Sequence, residues 1–191
     1  MKLTNDNLTA LNLMNRADLV ATFTKIALWQ QIQFRKIVYL DADTLPLRAL
    51  DELFDLSAAF AAAPEIGFPD CFNSGVMVIE PSSETHRQLI SLAVQGTSFD
   101  GGDQGLLNIH FGDFHRLSFM YNVELYRTYR LYMPAVKYYI EKLAVVHFIG
   151  RDKPWNLRGE TPVDESAYAS FYCELLEKWW AMYDTLTVEE V

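Results

Sequence analysis

Asp41 and Asp43 stand two apart, directly after the short apolar run Ile37–Leu40. At a strand end, side chains at i and i+2 point the same way, so both carboxylates can converge on one ion. Hard oxygen donors suit Mg2+ or Mn2+, above all when diphosphate oxygens supply further ligands. An isolated Asp-x-Asp is more often a solvated turn with a helix cap. Its position after an apolar run is what raises this one. His147 closes another apolar run, VVHF. As a third ligand it would favour Mn2+ over Mg2+, because imidazole is the softer donor. Taken alone, a histidine at such a place is more often a core residue with a satisfied hydrogen bond.

Three further segments carry chemistry-bearing residues. In FDGGDQG, the glycines permit close backbone approach to a ligand. Asp100, Asp103 and Gln104 there offer carboxylates and an amide to a polyhydroxylated ligand, although Asp103 also suits the start of a helix. In DCFNSG, the Asn73 amide can donate to one hydroxyl and accept from another, or simply make a turn. In GRDKPWN, Gly150 allows close approach to a phosphate and Lys153 can neutralise a leaving diphosphate. An exposed loop lysine is the default reading of any one such residue. The glycine spacing matches neither a P-loop nor a dinucleotide fingerprint. No Gly-x-Ser-x-Gly elbow is present and Cys71 has no evident base beside it in sequence, so hydrolase readings have little support.

These residues need a scaffold. The chain has 191 residues, 50% of them hydrophobic and 21% charged, enough for a folded core and against long disorder. The formal net charge is −9, which argues against a nucleic-acid partner and suits an acidic cation site. No apolar run reaches the ~18 residues of a membrane span, and no secretory h-region opens the chain. Two cysteines, Cys71 and Cys173, make no disulfide framework and no Cys-x-x-Cys motif, as expected for a cytoplasmic protein.

The spacing of Leu19, Phe23 and Ile26 predicts a helix over 18–30. Buried strands follow at Ile37–Leu40, at 75–79 (GVMVI) and at 145–148, with a shorter one within 114–119. A helix near Leu50 is expected to turn Leu53 and Phe54 inward. Ser82 or Ser83 caps the next helix, and another runs through Leu106, Leu107 and Ile109. A last helix covers roughly 165–182, with Tyr168, Phe171, Leu175, Trp179 and Met182 at helical spacing. This alternation predicts a single α/β domain over 1–191 with a mainly parallel sheet. Ligands in such sheets sit at the carboxyl ends of strands, which here means 41–43, 72–74 and 147–153.

VYLDADTLPLRALDELF, PDCFNSGVMVIEPS, FDGGDQGLLN and VVHFIGRDKPWN occur in this order. Together they resemble glycogenin and its relatives, retaining glycosyltransferases that use nucleotide-sugar donors. The resemblance runs from about Leu11 to Trp155. It implies a Rossmann-like nucleotide-diphospho-sugar transferase fold and a hexosyltransferase using a UDP-sugar, by expectation UDP-glucose. It implies a metal site of Asp41, Asp43 and His147 for Mn2+, with Mg2+ as the alternative. It places Arg16, Lys25, Asp41, Ala42, Asp43, Asn73, Ser74, Asp100 and Gly150 around the donor, and gives catalytic positions to Asp103, Gln104 and Lys153. Whether Asp103 acts as a transient nucleophile, or the acceptor attacks from the leaving-group face, is open at this point.

Two departures from the family pattern stand out. Roughly sixty residues of strand, nucleotide-binding loop, helix and second strand are expected to be missing ahead of the matched region, judged against a domain of ordinary size. The chain is therefore expected to be a catalytic domain partial at its N-terminus, with an unpaired sheet edge. The long linker and terminal partner-binding segment of the family are likewise expected to be missing. These departures support a rival reading, a catalytically inactive relative acting as a binding or assembly module. The acceptor is left as the chain's own tyrosine (Tyr129 or Tyr132), a glycan or a small polyol, and a homodimer is in keeping with the family.

Overall fold

The computed structural model describes residues 24–150, 153–159 and 167–188. Arg16 and most of the first expected helix lie outside them. The chain forms two compact units, one of residues up to Leu40 with Asp51–Ser118, the other of Asp41–Leu50 with Phe119 onward.

The first unit is built on four strands: β1 (Ile37–Leu40), β3 (Phe60–Pro64), β4 (Phe72–Ile79) and β5 (His115–Arg116), in the order β1-β4-β3-β5. Strand β2 (Thr44–Pro46) belongs to the second unit. All eight residues of β4 are buried, as the run FNSGVMVI demands of a central strand. β1 and β3 flank it, both antiparallel, with Tyr39 and Ala62 each opposite Met77. β5 pairs in parallel with β3. Helix α1 (Ser83–Val94) starts where the Ser82 side chain accepts a hydrogen bond from the Thr85 N–H at 3.2 Å. Helix α2 is Asp103–His110. The core gathers Trp29, Phe60, Phe72, Met77, Leu89 and Leu106, and Phe111 stacks on both Phe60 (4.0 Å between centroids) and Trp29 (5.4 Å). Truncating such a ring to alanine costs about 3–5 kcal/mol. Lys36, only 9% exposed, sends its ammonium to the carbonyls of Leu56 and Ala58, so a charge inside the unit keeps polar partners.

The second unit has a three-stranded sheet, β2, β7 (Val145–His147) and β6 (Val123–Glu124), with β7 in the middle. β2 runs antiparallel to β7 and sets Thr44 opposite His147. β6 runs parallel to it and sets Glu124 opposite His147. Helix α3 (Leu125–Tyr139) is broken at Tyr132 (φ −151°, ψ 65°), two residues before Pro134. Helix α4 is Ala167–Val188. Leu45, Val123, Val136, Val146, Phe148 and Leu175 form the core.

The α/β class holds, but the sheets are mixed rather than mainly parallel. Of the five strand pairs among the described residues, three are antiparallel and two parallel. A short apolar run reports burial, not strand direction, and residues 58–63, which gave no strand signal, place β3 against β4. β1 is half-buried at all four positions, because it is the edge of its sheet among the described residues. The helix near Leu50 is a single 3-10 turn, Asp51–Asp55, that buries Leu53 and leaves Phe54 41% exposed. In α4, Leu175 is buried but Met182 is largely exposed, so the apolar stripe ends before it.

Candidate functional site

The second unit carries a cluster of two carboxylates and an imidazole. The Thr44 N–H and Oγ1–H both donate to the Asp41 carbonyl (3.1 and 2.7 Å), and the Phe148 N–H donates to the Asp43 carbonyl (2.8 Å). These bonds fix the turn between the end of β1 and β2 against the end of β7. Asp41, Asp43 and His147 each present one ligand atom, all within 4.8 Å of one another. His147 is buried, with Nδ1 2.9 Å from Asn122 Oδ1 and Nε2 3.2 Å from Asp43 Oδ1. With Asn122 Oδ1 accepting from Nδ1, Nε2 faces the Asp43 carboxylate, donating to it when the ring is protonated and offering its lone pair when a cation is bound. At 3.2 Å this pair is satisfied by a proton on Nε2 or by a cation held between the two atoms. The donor set therefore fits a hard to borderline divalent ion.

Lys153 adds a positive charge. Its ammonium bonds Asp43 Oδ2 and donates to the Phe148 carbonyl at 2.9 Å. Burial alone would push the Asp43 carboxyl up. The hydrogen bonds and charges of His147 and Lys153 outweigh that and hold it well below the usual carboxylate range. Asp43 is thus ionised at neutral pH. Ala42 is exposed in the turn between the two aspartates. Gly150 has φ +116°, with open space where a Cβ would stand. Its glycine answers to backbone conformation rather than to crowding.

The first unit carries a polar cluster at the start of α2. Asp103 Oδ2 accepts from Ser74 Oγ–H at 2.8 Å and pairs with Lys25 Nζ at 2.8 Å. Lys25 also donates to Ser74 Oγ (3.1 Å), and the Ser74 N–H donates to Gln104 Oε1 (3.1 Å). Asp100 Oδ1 accepts from the N–H groups of Gly102 (2.8 Å) and Gly105 (3.0 Å) and from Ser98 Oγ–H (2.8 Å). It therefore braces the turn before α2, where Gly101 takes φ +77°. The Asn73 amide donates to Glu65 Oε2 (3.0 Å) and accepts from the Gly75 N–H (2.9 Å).

Of the expected residues, Asp41, Asp43, His147 and Lys153 come together in the second unit. Lys25, Ser74, Asp103 and Gln104 come together in the first. Sequence reasoning missed Asn122, Glu65 and Asn108. Asn108 is buried and ties α2 to β4 through the Phe72 N–H (2.8 Å) and carbonyl (2.9 Å). Asn108 closes the segment FDGGDQGLLN without a role assigned to it there, Asn122 and Glu65 stand in no motif, and only their bonds reveal the three.

With this geometry in place, comparison with known proteins identifies the family. The chain belongs to glycosyl transferase family 8, whose model matches residues 12–158. It is 51% identical over 181 residues to glycogenin of Neurospora crassa, covering 94% of this chain and 26% of that one. It is 43% identical over 187 residues to glycogenin-1 of Homo sapiens, covering 92% of this chain and 53% of that one. The chain thus spans between about a quarter and a half of these relatives' lengths. Among solved structures, the apo-form glycosyltransferase GlyE of Streptococcus pneumoniae superposes with a TM-score of 0.59 at 25% identity, over 85% of this chain and 46% of that one. The apo bifunctional glycosyltransferase WbbM shares the fold, with a TM-score of 0.56 at 18% identity over 72% of this chain and 33% of that one. No helix among the described residues is long and apolar enough to cross a membrane.

Proposed function

We propose that this chain is a retaining hexosyltransferase that moves glucose from UDP-glucose to an acceptor hydroxyl with the help of Mn2+. The observation that carries this reading is the convergence of Asp41, Asp43 and His147 within 4.8 Å, in a chain of glycosyl transferase family 8. The likeness to glycogenins supports the choice of sugar.

In this reading Asp41, Asp43 and His147 hold the ion, which supplies Lewis-acid stabilisation to a departing diphosphate. Asp43 meets it already ionised. Asn122 fixes the His147 ring so that Nε2 presents its lone pair. Lys153 adds a point charge that balances the negative charge growing on the leaving group, with Gly150 giving its loop the needed turn. In the first unit, Ser74, Asp103, Gln104 and Lys25 form a linked set of donors and acceptors of the kind that recognises sugar hydroxyls, with Asn73 and Asp100 nearby in sequence. Their mutual bonds hold Asp103 and Gln104 in fixed rotamers, so little ordering is left for binding to do.

The acceptor in this reading is a tyrosine of the chain, a glycan or a small polyol. Tyr132 is 66% exposed at the break in α3, which makes its hydroxyl accessible to modification. A homodimer in the cytoplasm, with no nucleic-acid partner, completes the proposal.

The experiment is release of UDP from UDP-glucose by the purified chain with Mn2+, compared with the Asp43→Asn variant and with chelator. Activity lost in both, with an unchanged circular dichroism spectrum, supports the reading. A folded Asp43→Asn protein that still turns over the donor at the parent rate ends it. Mass spectrometry of the peptide bearing Tyr132 reports self-modification as an added hexose.

A further inference from the structure

Strand β4 carries a bulge where it meets the polar cluster of the first unit. β1 pairs with β4 only as far as Val76, and β3 steps from Met77, opposite Ala62, to Phe72, opposite Pro64. Asn73, Ser74 and Gly75 are therefore matched to no residue of either strand, although all three are buried. Buried backbone groups need partners, and here side chains supply them. The Gly75 N–H donates to Asn73 Oδ1 (2.9 Å) and the Ser74 N–H to Gln104 Oε1 (3.1 Å). The Lys25 ammonium donates to the Ser74 carbonyl (3.3 Å). Where the bulge ends, Asn108 bonds both backbone groups of Phe72, accepting from the N–H (2.8 Å) and donating to the carbonyl (2.9 Å).

Gln104 and Asn108 stand four apart on α2 and so share a helix face. Four helical residues rise about 6.0 Å, close to the roughly 6.6 Å spanned by two residues of strand. The two side chains thus meet Ser74 and Phe72, two apart on β4, much as a neighbouring strand does. Asn108 is the fixed end of the pair. It is buried, and its Nδ2 also donates to the Gln104 carbonyl (2.9 Å). The Gln104 side chain is held at Oε1, and its Nε2 makes no hydrogen bond among the described residues. The Ser74 N–H therefore decides which end of that amide is left for a ligand, namely two N–H donors. We infer that Asn108 is a positioning residue for the proposed donor-sugar site: by pinning Phe72 to α2 it holds the bulge in register, keeps Ser74 on Gln104, and leaves the Gln104 Nε2 donors for an acceptor oxygen of the sugar. The sugar rests on the proposed transfer from UDP-glucose; the clamp rests on the bonds themselves.

Asn108→Asp tests this. The variant keeps an acceptor for the Phe72 N–H but sets a carboxylate oxygen against the carbonyls of Phe72 and Gln104. Amide hydrogen exchange, followed by NMR, is expected to speed up at Ser74 about tenfold more than at Met77 and Val78, the size of one lost hydrogen bond. Met77 and Val78 serve as the reference because both pair with β1 and β3. Exchange that rises equally at all three makes Asn108 a plain brace of the core and overturns the inference. With Mn2+ present, calorimetry is expected to show affinity for UDP-glucose falling about tenfold and affinity for UDP unchanged, since UDP carries no sugar to meet Gln104. Equal losses for the two nucleotides, or no loss for UDP-glucose, overturn it as well. Should the variant fail to fold, the parent decides. A through-hydrogen-bond coupling between the Ser74 nitrogen and the Gln104 side-chain carbonyl carbon is expected, and its absence ends the inference. A parent that binds neither nucleotide removes the proposed function, and the exchange comparison alone then decides whether Asn108 positions Gln104.

Discussion

The Nδ1 atom of His147 lies 2.9 Å from Asn122 Oδ1, inside the protein, where neither side chain has room to exchange with water. With Asn122 Oδ1 as acceptor, Nδ1 carries a proton and Nε2 is the nitrogen turned toward Asp43, the one that would ligate a proposed ion. Removing such a partner typically costs 10–100-fold in metal affinity, so Asn122→Leu is expected to weaken Mn2+ binding by about that much. Asn122→Asp keeps an acceptor and is expected to recover most of it. A calorimetric Mn2+ titration measures the affinity. The 15N shifts of the metal-free imidazole report the tautomer directly. Parent-like affinity and tautomer in Asn122→Leu would show that the ring is held by its packing instead.

Lys153 and a divalent ion compete for one carboxylate. The lysine ammonium bonds Asp43 Oδ2, so loading a cation at Asp43 must weaken or displace that contact. Lys153→Met is therefore expected to tighten Mn2+ binding in the absence of nucleotide. The same change removes a charge from the proposed diphosphate site, so UDP binding in the presence of Mn2+ is expected to weaken. The two opposite signs are the test, read by titrating each ligand separately. A variant that loses affinity for both would make Lys153 a simple buttress of the Asp43 turn.

The convergence of Asp41, Asp43 and His147 was legible in the sequence because its signal is local. Two aspartates at strand-end spacing and a histidine closing a second apolar run need only the sheet to bring them together, and it does. What the sequence withheld depends on partners far along the chain. Strand direction was hidden because Val76, Met77 and Val78 would look alike in a parallel or an antiparallel neighbour. β3 was hidden because Ala61, Ala62 and Ala63 have weak strand propensity and are placed by packing alone, all three fully buried. Asn122 and Asn108 were invisible because an isolated asparagine reads as a turn, whereas here each is buried and bonded to a residue at least 25 positions away.

Gly105 supports the polar cluster from behind. A Cβ there would stand 2.3 Å from Asp100 Oδ1 and 2.6 Å from Ser98 Oγ, the pair that braces the turn before α2. Both neighbours are side chains, but Asp100 is held by two backbone N–H groups and cannot move without losing them. Gly105→Ala is expected to destabilise the protein by about 1–3 kcal/mol, the usual cost of overpacking, despite the better helix propensity of alanine. Urea denaturation measures it. A neutral or stabilising result would mean that the turn yields, and that Asp100 is not a fixed brace.

Two histidines of the first unit give stability a pH dependence of known sign. His86 sits on α1, and His110 ends α2 with its ring edge-on to Phe111 at 4.5 Å. Burial pushes both imidazoles below their ordinary value of 6.5. In the unfolded chain they take up protons first, so between the unfolded and folded values the unfolded state binds more protons. Stability from this source is fully present above pH 6.5 and is lost as the pH falls below it. The urea midpoint is expected to decline from about pH 7 toward about pH 5, and the double variant His86→Gln/His110→Gln is expected to flatten that decline. If the variant falls as steeply as the parent over this range, other groups govern the acid limb and these two rings are solvated in the folded protein.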